Sequence, residues 1–134
     1  MTARIIRFAS LIACVMAIVV PAQAQLGHPA KGTWIGHWGP DAKNEQRMVI
    51  LLDWGNQKLT GELNPGPDAT KLSDAEIDYD TWTMTLKADL PENGKKQNWV
   101  ATGKLENLGS WTNRRYEGTY QYGNEKGNFS FTLQ

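Results

Sequence analysis

Polar and apolar residues alternate along most of the chain after residue 32, which is the pattern of half-buried β-strands. The run 81–87 shows this best, because threonine alternates there with Trp82, Met84 and Leu86. No stretch after residue 24 has the sustained 3.6-residue period of an amphipathic helix. The alternation predicts eight strands, over residues 33–38, 47–53, 58–63, 74–80, 81–87, 98–105, 115–122 and 127–133.

Short turn signals separate these strands. The strongest is 64–68 (Asn-Pro-Gly-Pro-Asp), in which two prolines fix φ around a glycine and predict a rigid loop. The other connections are short, as in antiparallel hairpins. We therefore predict an all-β fold, an eight-stranded antiparallel up-and-down β-barrel in which the inward Gly61, Gly103 and Gly118 allow the bends of closure. An open sandwich of the same strands is the alternative.

One strand departs from simple alternation. Residues 47–53 (Arg-Met-Val-Ile-Leu-Leu-Asp) are apolar at nearly every position. Such a run indicates a strand that is covered on both faces or borders an interface.

The N-terminal segment has the order of a secretory signal peptide. Arg4 and Arg7 precede an apolar run over 11–20 that is too short to span a bilayer, and 22–24 (Ala-Gln-Ala) has the small residues of a cleavage site. We predict a signal peptide over 1–24, a flexible lead-in over 25–32 and a β-barrel domain over 33–134, in a periplasmic or secreted protein. A lipoprotein attached through Cys14 is the alternative, although the residues after Cys14 remain apolar where a tether would be polar.

Composition narrows the class of protein further. Cys14 is the only cysteine, so the chain after residue 24 has no disulfide and depends on its core for stability. Removing Arg4 and Arg7 from the 14 basic residues leaves 12 against 14 acidic ones, a net charge of −2. We expect no nucleic-acid partner, because such a partner requires clustered basic residues. We expect no membrane span after cleavage of the signal.

Three short motifs resemble a known superfold. They are Gly32-Thr33-Trp34 on the first predicted strand, Leu59-Thr60-Gly61 on the third, and 116–120 (Tyr-Glu-Gly-Thr-Tyr) on the seventh. The pattern resembles the lipocalin-like and avidin-like superfold of small secreted eight-stranded barrels, over nearly all of 32–133. The resemblance implies a barrel fold with a ligand cavity and no more. From the pattern of glycines and aromatic residues over 32–38, we expect Trp34 to close one end of the barrel.

The resemblance does not extend to a biotin site. Gly36 stands where avidins have a biotin-contacting asparagine, and Leu63 stands in place of an avidin tyrosine. Lipocalins place an arginine across the first tryptophan, and Arg114 or Arg115 is the candidate for this role. No ligand-contacting residue is therefore carried over from avidins.

The sequence contains no clear set of catalytic or metal-binding residues. The two histidines, His28 and His37, lack zinc-ligand spacing, and we place His37 on the outer face of the first strand. No serine has a nucleophile context. The alternating acidic residues over 74–80 could supply carboxylates to a calcium ion, but residues two apart on a strand lie about 6.5 to 7 Å apart, which is too far for one ion. A charged strand edge is the better interpretation. We predict no enzyme activity, no metal and no cofactor.

Aromatic residues carry the functional hypothesis. Seven rings fall on the predicted inner faces, where they either fill the barrel or wall a cavity. Trp38, Trp54 and Trp111 fall at strand ends or turns, where exposed rings can mark a surface site. We predict that the protein binds a small, largely apolar ligand beneath the 64–68 loop, in space left by Ala101, Gly103 and Gly118. The predicted ligand-binding residues are Trp82, Trp99, Tyr116, Tyr120, Asn64 and Asp68. The alternative is an envelope protein-interaction or inhibitor module with a solid core that acts through its loops.

Overall fold

The computed structural model describes residues 27–110 and 112–134. In these two ranges the chain forms nine β-strands and no helix that is long and apolar enough to cross a membrane. The predicted signal peptide with Cys14, and Trp111, lie outside the described residues. The strands are β1 (Gly32–Gly39), β2 (Gln46–Gly55), β3 (Lys58–Leu63), β4 (Thr70–Lys71), β5 (Asp74–Asp78), β6 (Thr83–Glu92), β7 (Lys95–Glu106), β8 (Arg115–Tyr122) and β9 (Glu125–Leu133).

All nine strands belong to one antiparallel sheet in the order β4-β3-β2-β1-β9-β8-β7-β6-β5. Strands that follow each other in the chain pair with each other, except at β4 and β5, and β1 also pairs with β9. The predicted all-β antiparallel meander is confirmed, and each of the eight predicted strands has a counterpart. The ninth strand is the two-residue β4, which is too short to produce an alternating pattern.

Tight hairpins connect several of the strands. Asn56 and Gln57 both have positive φ and form the two-residue turn between β2 and β3. Asn93 and Gly94 do the same between β6 and β7. Positive φ at both central residues gives a turn whose twist matches that of the flanking strands. These turns fix the register of the sheet.

Within residues 27–110 and 112–134, hydrogen bonds do not close the sheet into a barrel. β4 pairs only with β3, and β5 pairs only with β6. The chain changes partner at one point, where Leu72 N donates to Gly61 O at 2.9 Å and Ser73 N donates to Lys87 O at 2.8 Å. The predicted closed eight-stranded ladder is thus wrong in two respects, because there are nine strands and the ladder is open between β4 and β5. The edges still approach, since β3 lies near β5 and β4 lies near β6.

The sheet buries one of its faces in a single apolar cluster. Residues from β1 to β3 and from β6 to β9 contribute, and Trp34, Trp99, Tyr116 and Phe131 are among its fully buried members. Alternation explains the pattern, because every second residue of a strand points to the same face. We call this face the interior face and the other the outer face.

The two ends of the strands carry different features, so we name them. The mouth end is defined by Gly39, Gln46, Leu63, Thr70, Glu92, Lys95, Tyr122 and Glu125. The base end is defined by Gly32, Gly55, Lys58, Asp78, Thr83, Glu106, Arg115 and Leu133.

Candidate ligand-binding clefts

A cleft of about 670 Å³ opens at the mouth end and is the first candidate site. Its apolar lining residues include Trp38, Met48 and Leu90, each less than 9% exposed. Polar side chains form the larger part of the lining, and they include Arg47, Asn64, Asp68 and Glu92. We call this region the mouth cleft.

Trp38 separates the mouth cleft from the interior. It is only 4% exposed and its ring meets Tyr120 edge-on, with centroids 4.8 Å apart. It also meets Trp99 at 6.1 Å and Tyr122 at 5.5 Å. The interpretation of Trp38 as an exposed strand-end ring is wrong. The alternation of Trp34, Gly36 and Trp38 on one face of β1 was the signal for its burial.

Trp99 is fully buried, its ring contacts Trp38, and it has an unsatisfied donor, although it is not among the residues that line the mouth cleft. Its Nε1 has no hydrogen-bond partner among the described residues. A buried donor without an acceptor is unfavourable by about 1–3 kcal/mol, and such groups are rare in folded proteins.

Asn64 and Asp68, the two ends of the 64–68 loop, line the mouth cleft, and their role in ligand binding stays a prediction. Asn64 has φ 50° and is held by β2, because its N donates to Val49 O at 2.7 Å and its Oδ1 accepts from Val49 N at 3.1 Å. The first residue of the loop is therefore anchored by two hydrogen bonds. Asp68 is exposed and remains available at the rim.

Tyrosine hydroxyls around the mouth stay protonated at neutral pH. Tyr120 Oη donates to Glu125 Oε2 at 2.8 Å, and burial, followed by this hydrogen bond, raises the pKa of Tyr120. Burial also raises the pKa of Tyr122, with Glu92 and Glu125 adding to the effect. Neither phenol contributes a negative charge to the mouth cleft, so its charges come from the rim.

The glycine positions do not leave the interior volume that we predicted. A Cβ built on Gly103 would lie 2.7 Å from Phe129 Cζ and would clash with the Glu117 carbonyl oxygen, so that space is already occupied. Tyr116 packs against Phe129 with centroids 4.6 Å apart, and its Oη donates to Met84 O at 2.8 Å. Tyr116 lies deep in the core, away from the mouth cleft.

Trp82 lies at the base end, opposite the 64–68 loop. It falls in the turn before β6 with φ 54°, so the strand position predicted for it is wrong, although its half-buried ring packs against the core cluster. Its carbonyl accepts from Leu105 N at 2.9 Å, and its ring meets Tyr79 at 5.5 Å. Of the six predicted ligand-binding residues, the structure places Asn64 and Asp68 in the lining of the mouth cleft. Trp99 and Tyr120 contact Trp38 without lining the cleft, and Tyr116 and Trp82 lie elsewhere.

A turn before β1 covers the base end. Trp34 is fully buried and its Nε1 donates to Ala30 O at 2.8 Å, in agreement with its predicted place at one end. Arg114, rather than the exposed Arg115, reaches the same turn, since its Nη1 donates to Pro29 O at 2.7 Å. The predicted lead-in over 25–32 thus includes residues with fixed contacts. The domain boundaries as a whole stay a prediction.

His28 was missed by the sequence reasoning, whereas His37 is exposed on the outer face as predicted. His28 is 8% exposed and stacks on Trp54 with centroids 4.3 Å apart. Its Nε2 lies 2.7 Å from Tyr79 Oη. Burial lowers the pKa of His28. No local sequence signal could have shown a partner 51 residues away.

The acidic row on β5 lies at an edge of the sheet, as its interpretation as a charged edge requires. Within residues 27–110 and 112–134, no group of three or more His, Cys, Asp or Glu side chains is arranged to hold a metal ion.

The sequence matches no protein-family model and no curated protein. The functional argument therefore rests on the clefts and the side chains that line them.

Proposed function

We propose that this chain is an exported, non-enzymatic binding protein that takes a small, largely apolar molecule in the mouth cleft. The observation that carries the proposal is the cleft itself, with Trp38 in its lining; the unsatisfied Nε1 of Trp99, whose ring contacts Trp38, supports it. The signal-like order of residues 1–24 supports export. The antiparallel meander, in which β3 lies near β5 and β4 lies near β6, supports the analogy to lipocalins and avidins, which is an analogy of scaffold alone.

The rim gives the ligand one further property. Arg47, Asn64, Asp68 and Glu92 surround the opening with mixed charge, so the part of the ligand that remains at the rim is polar. The loop contributes little entropy loss on binding, because Asn64 is already hydrogen-bonded to β2. The ligand therefore has an apolar body and at least one hydrogen-bond acceptor.

A titration with N-phenyl-1-naphthylamine, a neutral fluorescent probe, and with dodecanoic acid tests this proposal. Wild type is expected to bind at least one of the two, and Trp38→Ala is expected to weaken binding by about tenfold or more. Trp54→Ala, which removes a half-buried tryptophan at the base end, is the matched control and should bind like wild type. Equal binding by the wild type and Trp38→Ala would contradict the proposal.

A second measurement needs no variant. The indole N–H of Trp99 lacks an acceptor, whereas that of Trp34 already donates to Ala30 O. In a ¹H–¹⁵N spectrum of the wild type, ligand should therefore shift the Trp99 indole resonance and leave that of Trp34 in place. No change at Trp99 with a saturating probe would show that the molecule does not enter beneath Trp38.

The filled interior favours a second candidate, an envelope interaction or inhibitor module that acts through its loops. Phe129 occupies the space beside Gly103, so a solid core is present in that region. A photo-crosslinking residue at position 68 in the exporting cell tests this candidate, with position 102 on the outer face as control. A protein adduct specific to position 68 supports it, and equal labelling at both positions counts against it.

A further inference from the structure

A second cleft lies at the base end, between β3 and β5, where these two strands are not paired. It holds about 320 Å³ and is lined by Trp54, Gln57, Leu59, Glu76, Ile77 and Tyr79. We call it the base cleft. None of these residues belongs to the mouth cleft, so the base cleft is independent of the function proposed above.

Tyr79 gives the base cleft a rigid and accessible aromatic face. It is 50% exposed, yet its ring is fixed by an edge contact with Trp82 at 5.5 Å and by the hydrogen bond between its Oη and His28 Nε2 at 2.7 Å. An exposed ring that is already immobilised loses little conformational entropy when a ligand covers it. Tyr79 therefore suits a ligand-contacting role at the surface better than a role in the core.

The proton positions on His28 leave Tyr79 with a free donor. His28 Nδ1 accepts from Ala30 N at 3.1 Å, so the neutral ring carries its proton on Nε2. Nε2 then donates to Tyr79 Oη, which acts as the acceptor in this bond. The Tyr79 O–H is therefore not used by His28 and can donate to a ligand in the base cleft.

Two further features complete the base cleft. Trp54 is backed by its stacking on His28, with an interplanar angle of 27°. Gln57 is held in a two-residue turn with φ 59°, and Glu76 stands across the cleft on β5. The base cleft thus offers two aromatic rings, a fixed hydroxyl donor, an amide and a carboxylate acceptor within one small volume.

We propose that the base cleft binds a neutral saccharide. A sugar ring has an apolar C–H face, which suits an aromatic platform, and a hydroxyl edge, which suits alternating donors and acceptors. A purely apolar ligand would leave Tyr79 Oη and Glu76 without partners. An anionic ligand would face Glu76 and the neighbouring Asp74 and Asp78 on the same strand.

Calorimetric titration of the protein with defined oligosaccharides tests this proposal. The probes are cellotetraose, maltotetraose and tri-N-acetylchitotriose as neutral sugars, with trigalacturonate as the anionic one. At least one neutral sugar should bind at millimolar concentration, and trigalacturonate should bind about tenfold more weakly or not at all. The bound sugar should also shift the indole ¹H–¹⁵N resonance of Trp54.

Two variants of one residue separate the platform from the donor. Tyr79→Ala should abolish binding, and Tyr79→Phe should weaken it by about two- to tenfold, which corresponds to one neutral hydrogen bond. Both should fold, because the side chain is half exposed. Leu51→Ala, which removes the other large exposed apolar side chain, should leave binding unchanged.

Three results would overturn the proposal: no neutral sugar binds at millimolar concentration, Tyr79→Ala binds like wild type, or trigalacturonate binds most tightly. None of them depends on the mouth cleft. Probe binding at Trp38 and sugar binding at Tyr79 can therefore fail or succeed separately.

Discussion

Trp34→Ala tests whether the base end is held by the contacts that the structure shows. Trp34 is fully buried, meets Tyr116 edge-on at 6.3 Å, and donates from Nε1 to Ala30 O at 2.8 Å. Removing a buried tryptophan ring typically lowers the free energy of unfolding by about 3–5 kcal/mol. Part of this loss comes from Ala30, which is itself fully buried, because its carbonyl would lose the indole donor and stay unpaired.

Urea unfolding followed by far-ultraviolet circular dichroism measures this loss. With a slope of about 1.5 kcal/mol per molar urea, a loss of about 4 kcal/mol lowers the midpoint by roughly 2.5 M. A domain of this size has a total stability of about 5–15 kcal/mol, so the variant is expected to be marginally folded. Trp34→Phe retains an aromatic ring but not the N–H donor, and its urea midpoint should fall between those of the wild type and Trp34→Ala.

His37→Ala is the matched control on the same strand. His37 is exposed on the outer face, and its replacement should change the free energy of unfolding by less than about 0.5 kcal/mol. Equal midpoints for the wild type and Trp34→Ala would refute the placement of the core. A loss confined to Trp34→Ala, with Trp34→Phe at the wild-type value, would show that the hydrogen bond to Ala30 contributes nothing measurable.

Three other predictions follow from the chain. The exported protein should begin at Gln25, and the intact mass of the purified protein tests this. A mass that includes Cys14 and an added lipid would contradict the prediction. The free energy of unfolding should be greatest above pH 6.5 and fall as the pH drops through the lowered pKa of His28, because His28 takes up a proton in the unfolded chain before it does so in the folded one. Urea midpoints measured from pH 7.5 to 5.5 test this. His28→Gln should make the midpoint less dependent on pH. Gly103→Ala should lower the free energy of unfolding by about 1–3 kcal/mol, because the added methyl group would clash with the neighbouring strand. Gly55→Ala, which has open space around it, should have little effect. Equal urea midpoints for the two variants would show that the neighbouring strand moves to make room.

Alternation along the chain was sufficient to find the strands, because a β-strand that buries one face must place apolar residues at every second position. β3 and β8 have the predicted bounds. The predicted burial of Met84 and Leu86 is confirmed, since both are fully buried. The error at Trp82 has a local cause, since the residue continues the alternation of β6 while its backbone already adopts the positive φ of a turn.

The mouth half of the candidate site was also partly accessible from sequence. Asn64 and Asp68 could be placed at an end of the sheet because prolines interrupt the ladder there. Trp99 and Tyr120 could be placed on the interior face by their spacing. Their contacts with Trp38 could not, because these depend on how the rings of β1, β7 and β8 pack together.

The alternating pattern by itself determined that this protein is an antiparallel all-β meander, since strand period and short turns are local properties of the chain. Only the tertiary structure decided that hydrogen bonds leave the sheet open between β4 and β5, that Phe129 fills the space beside Gly103, and that His28 meets Trp54 and Tyr79. Each of these depends on residues far apart in sequence and on the curvature of the whole sheet. The two clefts arise from the same cause, because they lie where distant strands and turns come together at the ends of one curved sheet.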